Sequence, residues 1–199
     1  MNRIDRLLQR WRVSQAIPRV PEGARVLEVG CFDDRLFRCP GDRRAHGVGV
    51  DPLLDQAVEG ARFRLVLGAF PQDMPDGEQF DVIVMLAVLE HVARERIEEC
   101  ARTREDLLVP DGLAMATVAA PVVDVILAVS IRLKLFHCMA VEEHQGLKPS
   151  TAPEVFTRAG FSLVRWKRLQ LGLNNLFVSR KSPGIDGRNG ERRPANDAG

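Results

Sequence analysis

The chain has 199 residues, 45% of them apolar, enough to bury one core without disulfides or a structural metal. Its 28 Lys and Arg against 27 Asp and Glu leave a formal charge of +1, so no global field draws it to nucleic acid or to an anionic membrane. Four cysteines, at 31, 39, 100 and 138, show no paired spacing and read as reduced thiols of a cytoplasmic protein; no apolar signal core opens the chain and no uncharged run reaches membrane-spanning length.

Ile4, Leu7, Leu8 and Trp11 recur at helical spacing. They predict an amphipathic helix over 3–16, ended before Pro18, in an N-terminal unit (1–24) that covers a sheet edge or closes over a pocket. Strands are expected over 25–29, 45–50, 63–67 and 80–86, with a short helix between the first two. Their near-continuous Val, Ile and Leu runs suit a parallel sheet buried on both faces, hence an α/β fold. A helix over 92–108 should turn Ile97, Cys100, Ala101 and Leu108 inward and end at the turn Pro110, Asp111, Gly112, which leads into a strand over 113–120.

The segment 121–148 is apolar on nearly all sides and too interrupted by charge to span a membrane. Its weak periodicity leaves open a lid over an apolar substrate and a core or homodimer-contact helix, with a membrane-surface helix the poorer fit because a strongly basic polar face is missing. Thr151, Pro153 and Glu154 then read as a helix start with a capping box and Gly160 as its end. Strands over 162–169 and 174–179, joined near Gly172, predict an antiparallel hairpin at the sheet edge. Residues 1–181 form a single domain on this reading, and the Gly, Pro and charge-rich 182–199 a disordered tail.

Gly30 follows the first strand, where a turn brings backbone N–H groups and the start of a helix toward a nucleotide without a side chain in the way. Asp51 ends the second strand, a position suited to accepting ribose hydroxyl protons. Phe32 and Asp34 stand where a glycine-rich loop would continue. Phe32 must turn into the core or into the ligand site, and Asp34 is placed to cap a following helix or to face a cation. The missing later glycines argue against a pyrophosphate-binding dehydrogenase. His91 is the leading candidate for a general base, since imidazole takes a proton near neutral pH. His137 and His144 border the apolar segment and are candidates for the substrate pocket; their spacing with Cys138, Glu142 and Glu143 matches no known metal site.

Glu28, Gly30, Asp51, the run FDVIVMLAVLEHV at 80–92 and VPDGLAMATVAAP at 109–121, in this order, resemble the class I S-adenosylmethionine-dependent methyltransferases over about 20–180. The resemblance implies a Rossmann-like sheet of seven strands, mostly parallel with the last antiparallel, and helices on both faces. It implies S-adenosyl-L-methionine as cofactor, across the ends of the first, second and fourth strands. The matching cofactor residues are Glu28 near the methionine amino end, Cys31 and Phe32 with Gly30 in the first turn, Pro52 beside Asp51, and Leu86 by the methyl. Where the family often carries an acid facing adenine, LGAF stands instead, leaving Ala69 and Phe70 to define that slot, with the exposed Asp73 a weak substitute. The implied activity is methyl transfer to an O, N or C nucleophile of a small, apolar metabolite. Two alternatives remain, a fold that binds without catalysing and an S-adenosyl-dependent enzyme that does not methylate.

Overall fold

The computed structural model describes residues 3–38, 46–74, 77–89, 92, 107–120 and 147–182, with side chains from residue 7. Val26, Leu27 and Val29, then Val82, Ile83 and Val84, lie buried on both sides of their strands, which is why these runs read as continuous rather than alternating. In chain order the elements are α1 (Arg3–Ala16), β1 (Arg25–Val29), β2 (His46–Asp51), β3 (Val58–Glu59), β4 (Phe63–Leu67), β5 (Phe80–Met85), β6 (Leu108–Ala119), α2 (Ala152–Arg158), β7 (Phe161–Leu169) and β8 (Asn174–Lys181).

The strands form one sheet in the order β3-β4-β2-β1-β5-β6-β8-β7. The pairs β4/β2, β2/β1, β1/β5 and β5/β6 are parallel. From β1 the chain runs outward through β2 to β4, and it then returns to β5 on the other flank of β1. The order reverses between β1 and β5, so the turns after these strands border one crevice, the place where open α/β sheets bind ligands.

Two apolar layers cover the sheet. Leu27, Val29 and Ile83 face one side with Phe156 of α2, and Val26, Val84 and Met115 face the other with Val13 and Ala16 of α1. Phe177 anchors the α2 side, its ring 5.3 Å from Trp166 and 6.4 Å from Phe156. Burying a ring of this size contributes roughly 1.5–3 kcal/mol. Strand alternation places Glu28, between Leu27 and Val29, on the α1 side.

Several expectations change. The sheet has an eighth strand, the two-residue β3, antiparallel to β4. The closing antiparallel hairpin lies at the sheet edge as expected, with β8 against β6, antiparallel to both neighbours, and β7 as the outer strand. Leu108 belongs to β6 and not to the preceding helix. The turn at 110–112 survives as an irregularity inside β6, where pairing jumps from Phe80–Leu108 to Val82–Leu113 and Asp111 takes φ 61°. Residues 32–38 form turns where a helix was expected. Thr151 makes no side-chain cap; its hydroxyl donates to the Lys148 carbonyl, so no capping box forms, whereas Gly160 at φ 83° does end α2. Among the described side chains of α1, Val13 and Ala16 are buried, while Leu7 is 66% exposed and Leu8 and Trp11 are exposed as well. Among the described residues no helix is long and apolar enough to cross a membrane.

Candidate functional site

The crevice is built from three turns. After β1, Gly30 takes φ 73° and donates its N–H to the Val50 carbonyl at 2.8 Å. A Cβ on Gly30 would stand 2.4 Å from Val88 Cγ2, so the absent side chain lets the β1 turn close on the turn after β5. Cys31 turns inward, where a Cβ on Gly49 would come within 2.9 Å of its Sγ. Burial above all pushes its thiol pKa upward and keeps it neutral. Only the Cys31 backbone is left to face a ligand.

Phe32 enters neither the core nor a tight pocket. Its backbone is left-handed at φ 52° and the residue is 41% exposed at the crevice. Its N–H donates to Asp51 Oδ2 at 2.9 Å, and Leu53 N–H donates to Asp51 Oδ1 at 2.7 Å. Asp51 is only 6% exposed, and each carboxylate oxygen keeps a second lone pair for a ligand hydroxyl. Pro52 follows it on the surface.

Glu28 is 4% exposed, and its Oε2 has no hydrogen-bond partner among the described residues. Burial first, and then the neighbouring Asp33 and Asp51, raise its pKa well above the usual carboxylate range. Asp33 is bound by Arg35 Nη2 at 3.1 Å and by Gln9 Nε2 of α1 at 3.3 Å, so the N-terminal helix touches the site through one amide. Asp34 neither caps a helix nor faces the crevice alone; it pairs with Arg38. A groove of about 410 Å³ runs beside this cluster, between Arg10 and Val13 of α1, Ile17 just beyond it, and the segment Asp33 to Arg38. Its acidic lining is Asp33 and Asp34, and the buried carboxylates Glu28 and Asp51 lie at the strand ends, outside it.

After β4, Gly68 N–H donates to the Asp51 carbonyl at 3.3 Å. Asp73 folds back on this loop: its Oδ2 accepts the Ala69 N–H at 2.7 Å and its own N–H donates to the Ala69 carbonyl at 3.0 Å. Phe70 is half-buried and packs against the α2-side core. After β5, Leu86 is half-buried and Ala87 takes φ 59°, with its N–H donated to Thr117 Oγ1 at 2.8 Å. Sequence reasoning missed Thr117, a wholly buried hydroxyl in the otherwise apolar 113–119 stretch of β6 whose one signal was its polarity. The structure thus brings Glu28, Gly30, Cys31, Phe32, Asp51 and the Ala69 and Leu86 turns to one end of the sheet. His91, His137 and His144 lie outside the described residues. Among the described residues no group of three His, Cys, Asp or Glu is placed to hold a metal.

A model of the methyltransferase domain matches residues 2–165. Among curated proteins none matches the sequence significantly. The fold is similar to magnesium protoporphyrin IX methyltransferase from Synechocystis PCC 6803, solved with bound SAH, at 15% identity and TM-score 0.66 over 92% of this chain and 89% of that one. It is also similar to 1,6-didemethyltoxoflavin-N1-methyltransferase from Burkholderia thailandensis, at 18% identity and TM-score 0.62 over 86% of this chain and 76% of that one. N-methyltransferase NodS from Bradyrhizobium japonicum WM9 matches at 15% identity and TM-score 0.60 over 89% of this chain and 98% of that one. The sheet order, the crevice at its reversal point and the matched domain model converge on one conclusion: the chain belongs to the methyltransferase-domain family, with the Rossmann-like class I S-adenosylmethionine-dependent fold.

Proposed function

We propose that the protein transfers a methyl group from S-adenosyl-L-methionine to an O, N or C nucleophile of a small, apolar metabolite. The observation that carries this reading is the pair of buried carboxylates, Glu28 and Asp51, at the ends of adjacent parallel strands beside a left-handed glycine turn. The residues present fit the cofactor. Asp51 would take ribose hydroxyls, the orphaned oxygen of Glu28 the methionine ammonium, and the backbone of Gly30, Cys31 and Phe32 the polar tail. Pro52, Ala69 and Phe70 would border adenine, and Leu86 the reacting end. When bound, the cofactor supplies an electrophilic methyl on a sulfonium.

This chain's part is alignment and exclusion of water, which such a displacement chiefly requires. A base is needed only if the acceptor must lose a proton first, and His91, His137 and His144 are the side chains proposed for that role. The apolar 121–148 segment is proposed to meet the substrate or a second copy of the chain.

One observation favours a second reading, a methyltransferase fold that binds without transferring. The Ala69 N–H that would meet the adenine edge is already given to Asp73. Calorimetry of S-adenosylmethionine and S-adenosylhomocysteine, with Asp51→Ala beside wild type, tests the cofactor site, and formation of S-adenosylhomocysteine in an acceptor screen separates the two readings. Binding lost in the variant supports the site. No binding to wild type overturns the enzyme reading.

A further inference from the structure

We infer that ligand binding at this crevice is an exchange of cations, in which Glu28 gives up a proton to solvent as an ammonium group of the ligand takes its place. The inference deepens the methyltransferase reading and rests on it, since S-adenosylmethionine and S-adenosylhomocysteine both carry such an amine.

Among the described residues no cation pairs with the Glu28 carboxyl group, whose Oε2 has no hydrogen-bond partner. Its register partners, Gly49 on β2 and Val84 on β5, are uncharged. From β2 it faces Asp51, whose two oxygens each accept a backbone N–H. From the turn after β1 it faces Asp33 and the Cys31 thiol. The nearby cation, Arg35, is ion-paired with Asp33, and α1 contributes the neutral Gln9 to the same carboxylate. Glu90 and His91, which follow β5, lie outside the described residues. A dry carboxyl group with an orphaned oxygen and two acids for neighbours holds its proton, which agrees with the upward shift that burial, Asp33 and Asp51 impose.

An arriving ammonium reverses the balance by pairing with the ionised form. The exchange closes in charge: a carboxylic acid and a ligand ammonium enter, an ion pair and one solvated proton leave. Binding is therefore linked to pH, weaker where the acid must be ionised against the solution and constant once it is ionised beforehand.

The test is calorimetric titration of the protein with S-adenosylhomocysteine at one pH in two buffers of different ionisation enthalpy, repeated between about pH 5.5 and 7.5, below the titration of the ligand amine near ~8. Wild type is expected to release about one proton per ligand at the acid end, with affinity rising up to ~10-fold per pH unit and then levelling. Glu28→Gln should bind with no proton released and a flat profile. The analogue of S-adenosylhomocysteine without its amino group should release none from wild type, an arm that stands even if the variant does not fold. Binding with no proton released by wild type overturns this inference alone. Absence of binding at every pH overturns the methyltransferase reading with it.

Discussion

The carboxylate of Asp51, at the end of one parallel strand, accepts the backbone N–H of Phe32 in the turn that follows its neighbour, at 2.9 Å. The same side chain holds Leu53 N–H, so it shapes the crevice before any ligand arrives. Asp51→Ala should weaken S-adenosylhomocysteine binding at least ~10-fold and cost about 1.5–3 kcal/mol of stability, the worth of hydrogen bonds to a charged group. Calorimetry and urea denaturation measure the two losses separately. Unchanged binding in a folded variant would remove Asp51 from the site.

Glu28→Gln should behave in the opposite sense. Folding raises the Glu28 pKa, so the folded state holds the proton more tightly than the unfolded chain, and stability falls as pH rises above about 4.5 toward the folded value. Glutamine cannot ionise. The variant should therefore melt higher than wild type at neutral pH, and the gain should vanish as pH falls to about 4. Thermal melts across that range check the sign, and a variant less stable at neutral pH would contradict the buried-acid account.

Gly30→Ala combines a left-handed backbone with a Cβ placed 2.4 Å from Val88 Cγ2. The backbone part costs roughly 1–2 kcal/mol and the overlap a further ~1–3 kcal/mol. Val88→Ala in the same chain should return the overlap part and leave the backbone part, which denaturation of the single and double variants can separate. Full rescue would mean that the backbone tolerates alanine there.

Thr117→Val keeps shape and removes the acceptor of the Ala87 N–H. About 1–3 kcal/mol should be lost, the cost of leaving a buried donor unsatisfied. Ala87→Gly, which relaxes the left-handed backbone at φ 59°, should be neutral or stabilising by up to ~1 kcal/mol. Chemical denaturation of each variant decides.

Strands rich in Val and Leu were legible to the residue: β1 and β4 fall on 25–29 and 63–67 as expected, β1 buried from Val26 to Val29 and β4 holding Leu65 in the core. Competition between local and distant partners hid the rest. Leu108 carries a helical pattern with the residues before it, yet pairing with Phe80 draws it into β6. Leu7, Leu8 and Trp11 form the apolar stripe expected to cover a sheet edge or close over a pocket, but among its described side chains α1 meets the sheet through the smaller Val13 and Ala16. In the crevice the charged strand ends were readable from position. The Thr117 to Ala87 bond and the hold of Asp73 on Ala69 join residues that approach only after the sheet has formed or the loop has closed, and nothing local names their partners.

The place of β8 bears on how the chain is made. It is C-terminal to every other described strand and yet fills an interior position, between β6 and β7. While the ribosome still covers residues 174–181, β6 presents an unpaired flank and β7 has no neighbour to dock on, and exposed flanks of this kind attract other chains. Closure therefore waits for residues 174–181 to emerge, and a stop or frameshift upstream of 174 would release a sheet that ends at an unpaired β6 with β7 undocked, prone to aggregation and not slightly shortened.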